Sequence, residues 1–326
     1  MKKRLKSREF MSVMVIVLIF LIVGLFNPSF LGMKNIFQTI NGSAVYALVA
    51  LGMAFVLFIG EIDVSVGATL GFSAAMGGQI ISQGTSVWLA LLAAILLGCV
   101  IGCLNAIGIL YFKIPSIIMT LGTNGIIRGL IYVLTDGKWI ENLPIAFKQL
   151  AQKNLFGTLS LFYCSVLLVT AVLYFFTTQT DKGKSFVAIG DNEDGAKLIG
   201  ISINKVKLIS FIICSVFAAV AGILYASRVG FVTPTAGMGY EMTAIAACVI
   251  GGINLNGGVG TVWGAITGSI IMASISRVLV FLGFPSTFDN TITGLVLIVI
   301  VVVGAIINRR SLEKMRHQRL AAKTDV

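Results

Sequence analysis

Acidic residues are scarce in this sequence, with 13 Asp and Glu among 326 residues, and so are histidine, present once, and proline, present five times. The carboxylates are Glu9, Glu61, Asp63, Asp136, Glu141, Asp181, Asp191, Glu193, Asp194, Glu241, Asp289, Glu313 and Asp325, and none falls in the middle of a long apolar run. Carriers driven by protons or cations keep an ionisable group near the bilayer centre, so this scarcity argues against ion coupling. The single histidine is His317, and no Ser/His/Asp, Cys/His or paired-acid arrangement is available for catalysis. The sequence therefore reads as that of a non-enzyme. Nor does it carry a nucleotide site: Gly183-Lys184-Ser185 is the one fragment like a phosphate loop, and Thr178 stands where the first glycine is needed. It is expected to be a loop coincidence. Cys99, Cys103, Cys164, Cys214 and Cys248 all lie in apolar segments, odd in number and without ligand spacing, so neither a disulfide nor a metal site is expected.

What the sequence has is apolar length. Hydrophobic residues make up 57% and charged ones 11%, with a mean hydropathy of +0.99, against about a quarter charged in soluble proteins. Crossing a hydrocarbon core takes about 20 apolar residues. Ten stretches near that length run roughly over Phe10 to Phe26, Ile36 to Ile59, Val66 to Ile81, Val87 to Tyr111, Ser116 to Leu134, Leu159 to Thr178, Leu208 to Ala226, Glu241 to Gly252, Thr261 to Phe281 and Thr291 to Ile307. Lipid cannot satisfy backbone polar groups, so each is expected to be helical. The fold class is all-α: one transmembrane domain spanning residues 1–326, in a multi-pass membrane protein.

Basic residues set the orientation. Lys2, Lys3, Arg4, Lys6 and Arg8 precede the first span; Lys182, Lys184, Lys197, Lys205 and Lys207 follow the sixth; Arg309, Arg310, Lys314, Arg316, Arg319 and Lys323 follow the tenth. Positive charge is retained on the cytoplasmic side, which places both termini there. The net charge of +11 is thereby a topology signal, and no nucleic-acid partner is implied. A basic stretch before an apolar run also opens secretory signals, but Asn27-Pro28-Ser29-Phe30 offers no small-residue cleavage site, so a retained first span is expected. An external loop at 135–158 separates spans one to five (about 10–134) from spans six to ten (about 159–307). A cytoplasmic loop covers 179–207 and a cytoplasmic tail 308–326. Five spans per half put the second half upside down, the 5+5 inverted-repeat plan of many transporters.

Spans three and eight are the shortest, and each begins beside glycine and acid, at Gly60-Glu61-Ile62-Asp63 and at Gly239-Tyr240-Glu241. Short spans in matching positions point to a translocation path. Helix capping by the acids, worth roughly 0.3 to 1 kcal/mol, is the other reading. Thr120, Asn124 and Arg128 recur at four-residue spacing on one face of span five, and Arg128 costs roughly 2.5 to 3.5 kcal/mol at a helix centre unless protein or water receives it. The stripe is either path lining or polar glue between helices. The candidate path residues are Asn41, Glu61, Asp63, Thr120, Asn124, Arg128 and Glu241, with Asn105 a further polar group in an apolar span. Glycines four apart, at Gly67 and Gly71, Gly98 and Gly102, Gly125 and Gly129, and Gly260, Gly264 and Gly268, predict close helix packing.

The segment Phe186 to Ile201 predicts a short helix: Asp191 or Asn192 can cap it, Glu193 and Asp194 suit its first turn, and Gly200 can end it. Either a cytosolic motor grips such a helix or it is a solvated connector. The segment resembles the A-I-G-G-N-E-E-A-A-R-L-S-G-I loop of the ribose-type sugar permeases of ABC importers. It matches at Ala188, Ile189, Gly190, Asn192, Glu193, Ala196, Leu198, Gly200 and Ile201, and departs at Asp191 and Gly195. Glycine for alanine should weaken the helix by about 1 kcal/mol. Three more stretches resemble the same family: Gly60 to Gly67, Lys113 to Leu130, and Gly237 to Thr261. Departures cluster at Arg277 and at Phe284 to Asn290.

The resemblance implies a permease in the bacterial inner membrane, surrounded by lipid, importing a monosaccharide or sugar-like solute by alternating access. It implies a second copy in a homodimer, a periplasmic sugar-binding protein, and a cytosolic ATP-binding subunit that holds the ATP, so that no cofactor belongs to this chain. Asn192, Glu193, Ala196, Leu198 and Gly200 become the coupling helix to that subunit. Alternatives are a permease for branched-chain amino acids or nucleosides, a channel or secondary carrier, and a membrane-embedded enzyme acting on lipid.

Overall fold

A computed structural model describes residues 14–302 apart from 19, 26, 156, 286, 287, 300 and 301. The helices are α1 (Met33–Gly42), α2 (Ala44–Phe58), α3 (Val66–Ser82), α4 (Val87–Leu110), α5 (Ser116–Thr135), α6 (Ile145–Gln152), α7 (Leu161–Gln179), α8 (Asp181–Asp191), α9 (Glu193–Leu198), α10 (Ile203–Val229), α11 (Tyr240–Ile250) and α12 (Val262–Phe281). Apolar helical residues also run over Met14–Leu25 and over Phe288–Val299, the latter being α13. Among the described residues, five helices, α4, α5, α7, α10 and α12, are long and apolar enough to cross a membrane singly, and the α1–α2 pair makes a sixth if taken as one span. The chain is an all-α polytopic membrane protein. The tail at 308–326 lies outside the described residues, as do the basic residues before Met14.

The apolar run at 36–59 is not one straight helix. It breaks at Ser43 and bends by 41°. A Gly-Ser pair is a frequent site of such kinks, and here the freed carbonyls are used: Ser43 Oγ donates to Ile40 O at 2.7 Å, and Arg228 donates to the carbonyls of Asn41 and Gly42. Two further expectations are corrected. Gly183-Lys184-Ser185 is not a loop but the first turns of α8, where Thr180 Oγ1 accepts from Gly183 N at 3.0 Å. The segment 135–158 is more than a loop, holding α6 and the start of a two-residue hairpin, β1 (Asn154–Leu155) against β2 (Leu159–Ser160).

The centre of the bundle is α2, buried along its length except at Tyr46, as befits a helix apolar on every side. Against it lie α10, α11 and α12, and α10 also packs along α3 and α4. Gly98 and Gly102 let α4 meet α10 backbone to backbone: a methyl group at either position would stand 2.6 Å from the Cα of Val216 or Ile212. Gly264 and Gly268 do the same against Gly251 and Ala247 of the α11 end and body. On its other face α4 exposes Leu89, Leu92, Leu96, Val100, Leu104 and Ile107, a stripe at helical spacing that suits lipid. The helix α10 defines two ends of the molecule, with Lys207 near its start and Arg228 in its last turn.

Candidate functional site

At the Lys207 end, the connection from α2 to α3 is a buried polar hub. Asp63 Oδ1 accepts from Ser65 N at 2.8 Å and from Ser65 Oγ at 2.6 Å, a local turn that launches α3. Asn105 of α4 donates to Ser65 Oγ at 3.0 Å, and Thr123 of α5 donates to Asn105 Oδ1 at 2.7 Å. Thr120 Oγ1 accepts from Val64 N at 3.0 Å while donating to Ser116 O at 2.8 Å. Three helices are thus pinned to one loop through groups removed from water, where a lost partner costs more than a made bond gives. Replacing Asn105 by Ala removes both bonds that tie α4 to Ser65 and Thr123, so the purified protein should lose about 2 kcal/mol of stability, read as a lower thermal unfolding midpoint in detergent.

Asn124, Arg128 and Glu241 form a second cluster, half-buried, between α5, α3 and the start of α11. Arg128 Nη1 donates to Ala236 O at 2.6 Å, and its charge interacts with that of Glu241. Glu241 Oε1 accepts from Gly239 N at 3.3 Å, reaching back over the helix start, while its Oε2 and Asn124 Oδ1 are buried without a hydrogen-bond partner among the described residues. Space for the cluster comes from α3: side chains at Gly67 or Gly71 would run into Glu241, the Ala236 carbonyl and Arg128. Asp63 and Glu241 each accept from a backbone N–H beside a helix start, Ser65 N at α3 and Gly239 N at α11, whereas Glu61 is turned to Lys207.

Two path candidates lie elsewhere. Asn41 spends both ends of its amide on the hairpin, with Nδ2 donating to Thr158 O at 3.0 Å and Oδ1 accepting from Ser160 N at 2.7 Å. It clamps the Arg228 end of the molecule, where two adjoining recesses of about 320 and 290 Å³ share Gln38, Gly42, Val45, Arg228 and Arg277. There Arg277 donates to Asn35 and Gln38. Glu61 stands apart from Asp63, paired with Lys207, whose Nζ lies 3.1 Å from Glu61 Oε1 and 3.1 Å from Glu193 Oε2. Sequence reasoning counted Lys207 only as one more basic residue beside a membrane.

The short helix forms as its sequence predicts. Asn192 Oδ1 caps α9 by accepting from Gly195 N at 2.9 Å, and Gly200 closes the segment in a left-handed conformation with φ of 84°. Gly195 lies against its own cap: a methyl group there would meet the Asn192 amide at 3.1 Å. The preceding α8 is seated tightly on the bundle, with Gly190 against the Phe58 carbonyl and the Gly257–Gly258 backbone. Ala196 is buried, whereas Leu198 and Ile199 are 88% and 75% exposed.

Comparison with known proteins places these features in a wider set. The family described as "Branched-chain amino acid transport system / permease component" matches residues 35–301. The autoinducer 2 import system permease protein LsrC of Escherichia coli O9:H4 (strain HS) is 36% identical over 315 residues, covering 97% of this chain and 92% of that protein. LsrC of Enterobacter sp. (strain 638) is 37% identical over 319 residues, with coverage of 98% and 92%. Among solved structures, an inward-facing conformation of a metal-chelate type ABC transporter aligns with a TM-score of 0.54 at 17% identity, covering 92% of this chain and 99% of that one. At that identity the likeness is one of fold.

Proposed function

The chain belongs to the transport-system permease family that matches residues 35–301, and we propose that, as the membrane permease of a bacterial ABC importer, it passes a monosaccharide or sugar-like solute to the cytoplasm. It is a multi-pass membrane protein and not an enzyme. The observation that carries the proposal is the apolar pair Leu198 and Ile199, held out at the end of a capped helix beside Glu193, Asp194 and Lys197. Those charges place the pair in water rather than lipid, and apolar surface held rigidly in water fits a protein partner. That partner is a cytosolic ATP-binding subunit, with Asn192, Glu193, Ala196, Leu198 and Gly200 as the coupling helix.

The remaining arrangement follows as part of the same proposal. Ten spans in a single domain, five and five inverted, put both termini and the loop at 179–207 in the cytoplasm. Segment 135–158 then faces outward beneath a periplasmic sugar-binding protein. A second permease, another copy of this chain, packs on the open face of α5. Asn124, Arg128 and Glu241 border the path, since Asn124 and Glu241 keep buried acceptors without a hydrogen-bond partner among the described residues, the chemistry that receives a hydroxyl-bearing solute. Asn41, Glu61, Asp63 and Thr120 hold the frame around it.

The test is purification of the tagged chain from native membranes in mild detergent, followed by uptake assays with labelled autoinducer 2, ribose and leucine. A stoichiometric ATPase and ATP-dependent uptake of either of the first two supports the proposal. Clean purification without an ATPase would overturn it, and leucine uptake would move the solute to the branched-chain class that the family's description names. Arg128→Ala should cut uptake about tenfold with expression unchanged, and Arg128→Lys should not restore it, because a lysine cannot reproduce the planar donor fork. Uptake by both variants is the measurement.

A further inference from the structure

The α2–α3 hub and the short helix α9 are separate in sequence, yet one side chain joins them. Lys207, near the start of α10, has a side chain only 14% exposed, and its single ammonium is held at 3.1 Å by Glu61 of the hub loop and at 3.1 Å by Glu193 of α9. Among the described residues, the other ion pair is the exposed contact of Lys184 with Asp181 at 4.0 Å. The bundle therefore concentrates its buried ionic contact at the one place where α9, α10 and the loop before α3 converge.

We propose that Lys207 is the positioning residue that transmits movement of α9 to the solute-bordering helix α5. The inference rests on the importer reading above. The connection runs continuously through bonded groups. Glu193 holds Lys207, Lys207 holds Glu61, and the next residues of that loop are fastened to α5, Val64 N by Thr120 Oγ1, and Ser65 Oγ through Asn105 to Thr123. Thr120 and Thr123 lie one turn and one residue before Asn124, and Arg128 follows one turn later on the same helix. A displacement of α9 thus reaches the Arg128 cluster through bonded groups, without passing through the apolar core.

The two contacts of Lys207 differ in environment, and that difference gives the device a direction. The Glu61 side chain is 20% exposed and Glu193 54%. Water competes more strongly for Glu193, so Lys207 is seated more firmly on Glu61 than on Glu193 and moves with the Glu61 loop when α9 draws on it through Glu193. With Lys207 neutralised, two carboxylates face each other with no cation between them, and α9 and the loop repel instead of moving together. Glu61 is accordingly a transmission residue and not part of the path.

The experiment uses the permease reconstituted with its co-purified ATPase in proteoliposomes, comparing Lys207→Met, Lys207→Arg and Glu61→Gln, with uptake and ATP hydrolysis measured on the same vesicles. Lys207→Met keeps the apolar stem and removes the charge. It should lower uptake about tenfold while hydrolysis stays within about twofold of the parent, and Lys207→Arg should recover at least half of the uptake. The double variant with Glu61→Gln should be no worse than Lys207→Met alone, since both remove one link. Parallel loss of uptake and hydrolysis would show a structural prop and overturn the proposal, as would normal uptake in Lys207→Met. Absence of any ATPase from the parent preparation would instead sink the importer reading, so the two failures are distinguishable.

Discussion

Replacing Leu198 and Ile199 together by aspartate should abolish uptake and release the ATPase from the purified complex, while the permease itself stays folded in the membrane. Both side chains project from the bundle, 88% and 75% exposed, so their loss removes no internal contact. At an interface, an apolar anchor buried by the partner contributes about 2 kcal/mol or more, and a carboxylate put in its place must be desolvated as well. Two such anchors on one short helix account for about a thousandfold in affinity at about 1.4 kcal/mol per tenfold. The measurement is the ATPase-to-permease ratio after gentle purification, with the elution profile of the permease as control. Retention of the ATPase at the parent ratio would remove α9 from the interface. The internal residues of α9 behave differently: Ala196 is buried, and its replacement reports on the seating of the helix rather than on the partner.

Much of this was legible in the sequence because it is local. Apolar runs near span length become helices wherever no water reaches the backbone, and the Asn192 cap and the Gly200 stop lie within a few residues of what they cap. The Ser43 break lay inside one unbroken apolar run, and the group that receives its freed Gly42 carbonyl, the guanidinium of Arg228, is 186 residues away. The same holds for Lys207, whose importance comes from Glu61, 146 residues earlier. Adjacency misled at Glu61 and Asp63, two acids separated by one residue that face different partners, one an ammonium and the other the Ser65 backbone and hydroxyl. Thr120, Asn124 and Arg128 were rightly read as one face. The structure divides their duties, with Thr120 fixing the hub loop and Arg128 holding the Ala236 carbonyl.

Glycine rows were the least decidable feature, and they yield the sharpest contrast in expected results. Rows at four-residue spacing read alike in sequence, yet Gly98 and Gly102 are pressed against the α10 backbone, whereas Gly122, Gly125 and Gly129 of α5 face open space within 4 Å. The close helix packing expected at Gly125 and Gly129 thus has no partner within 4 Å among the described residues. Gly102→Leu should destabilise severely, because the first added carbon already lies 2.6 Å from the Ile212 Cα and neither backbone can yield without disturbing α10. A cost of about 3 kcal/mol or more is expected, seen as loss of monodisperse protein from the membrane. Gly129→Leu should leave expression and thermal midpoint unchanged, since among the described residues nothing lies within 4 Å of its first added carbon. In the proposed homodimer its effect belongs to assembly: Gly122, Gly125 and Gly129 lie between exposed Ile118, Leu121, Ile126, Leu130 and Val133, a surface that lets a second helix approach closely in lipid. Co-purification of two differently tagged copies should fall sharply in Gly129→Leu. Undiminished pairing would place the second permease on another face of the bundle.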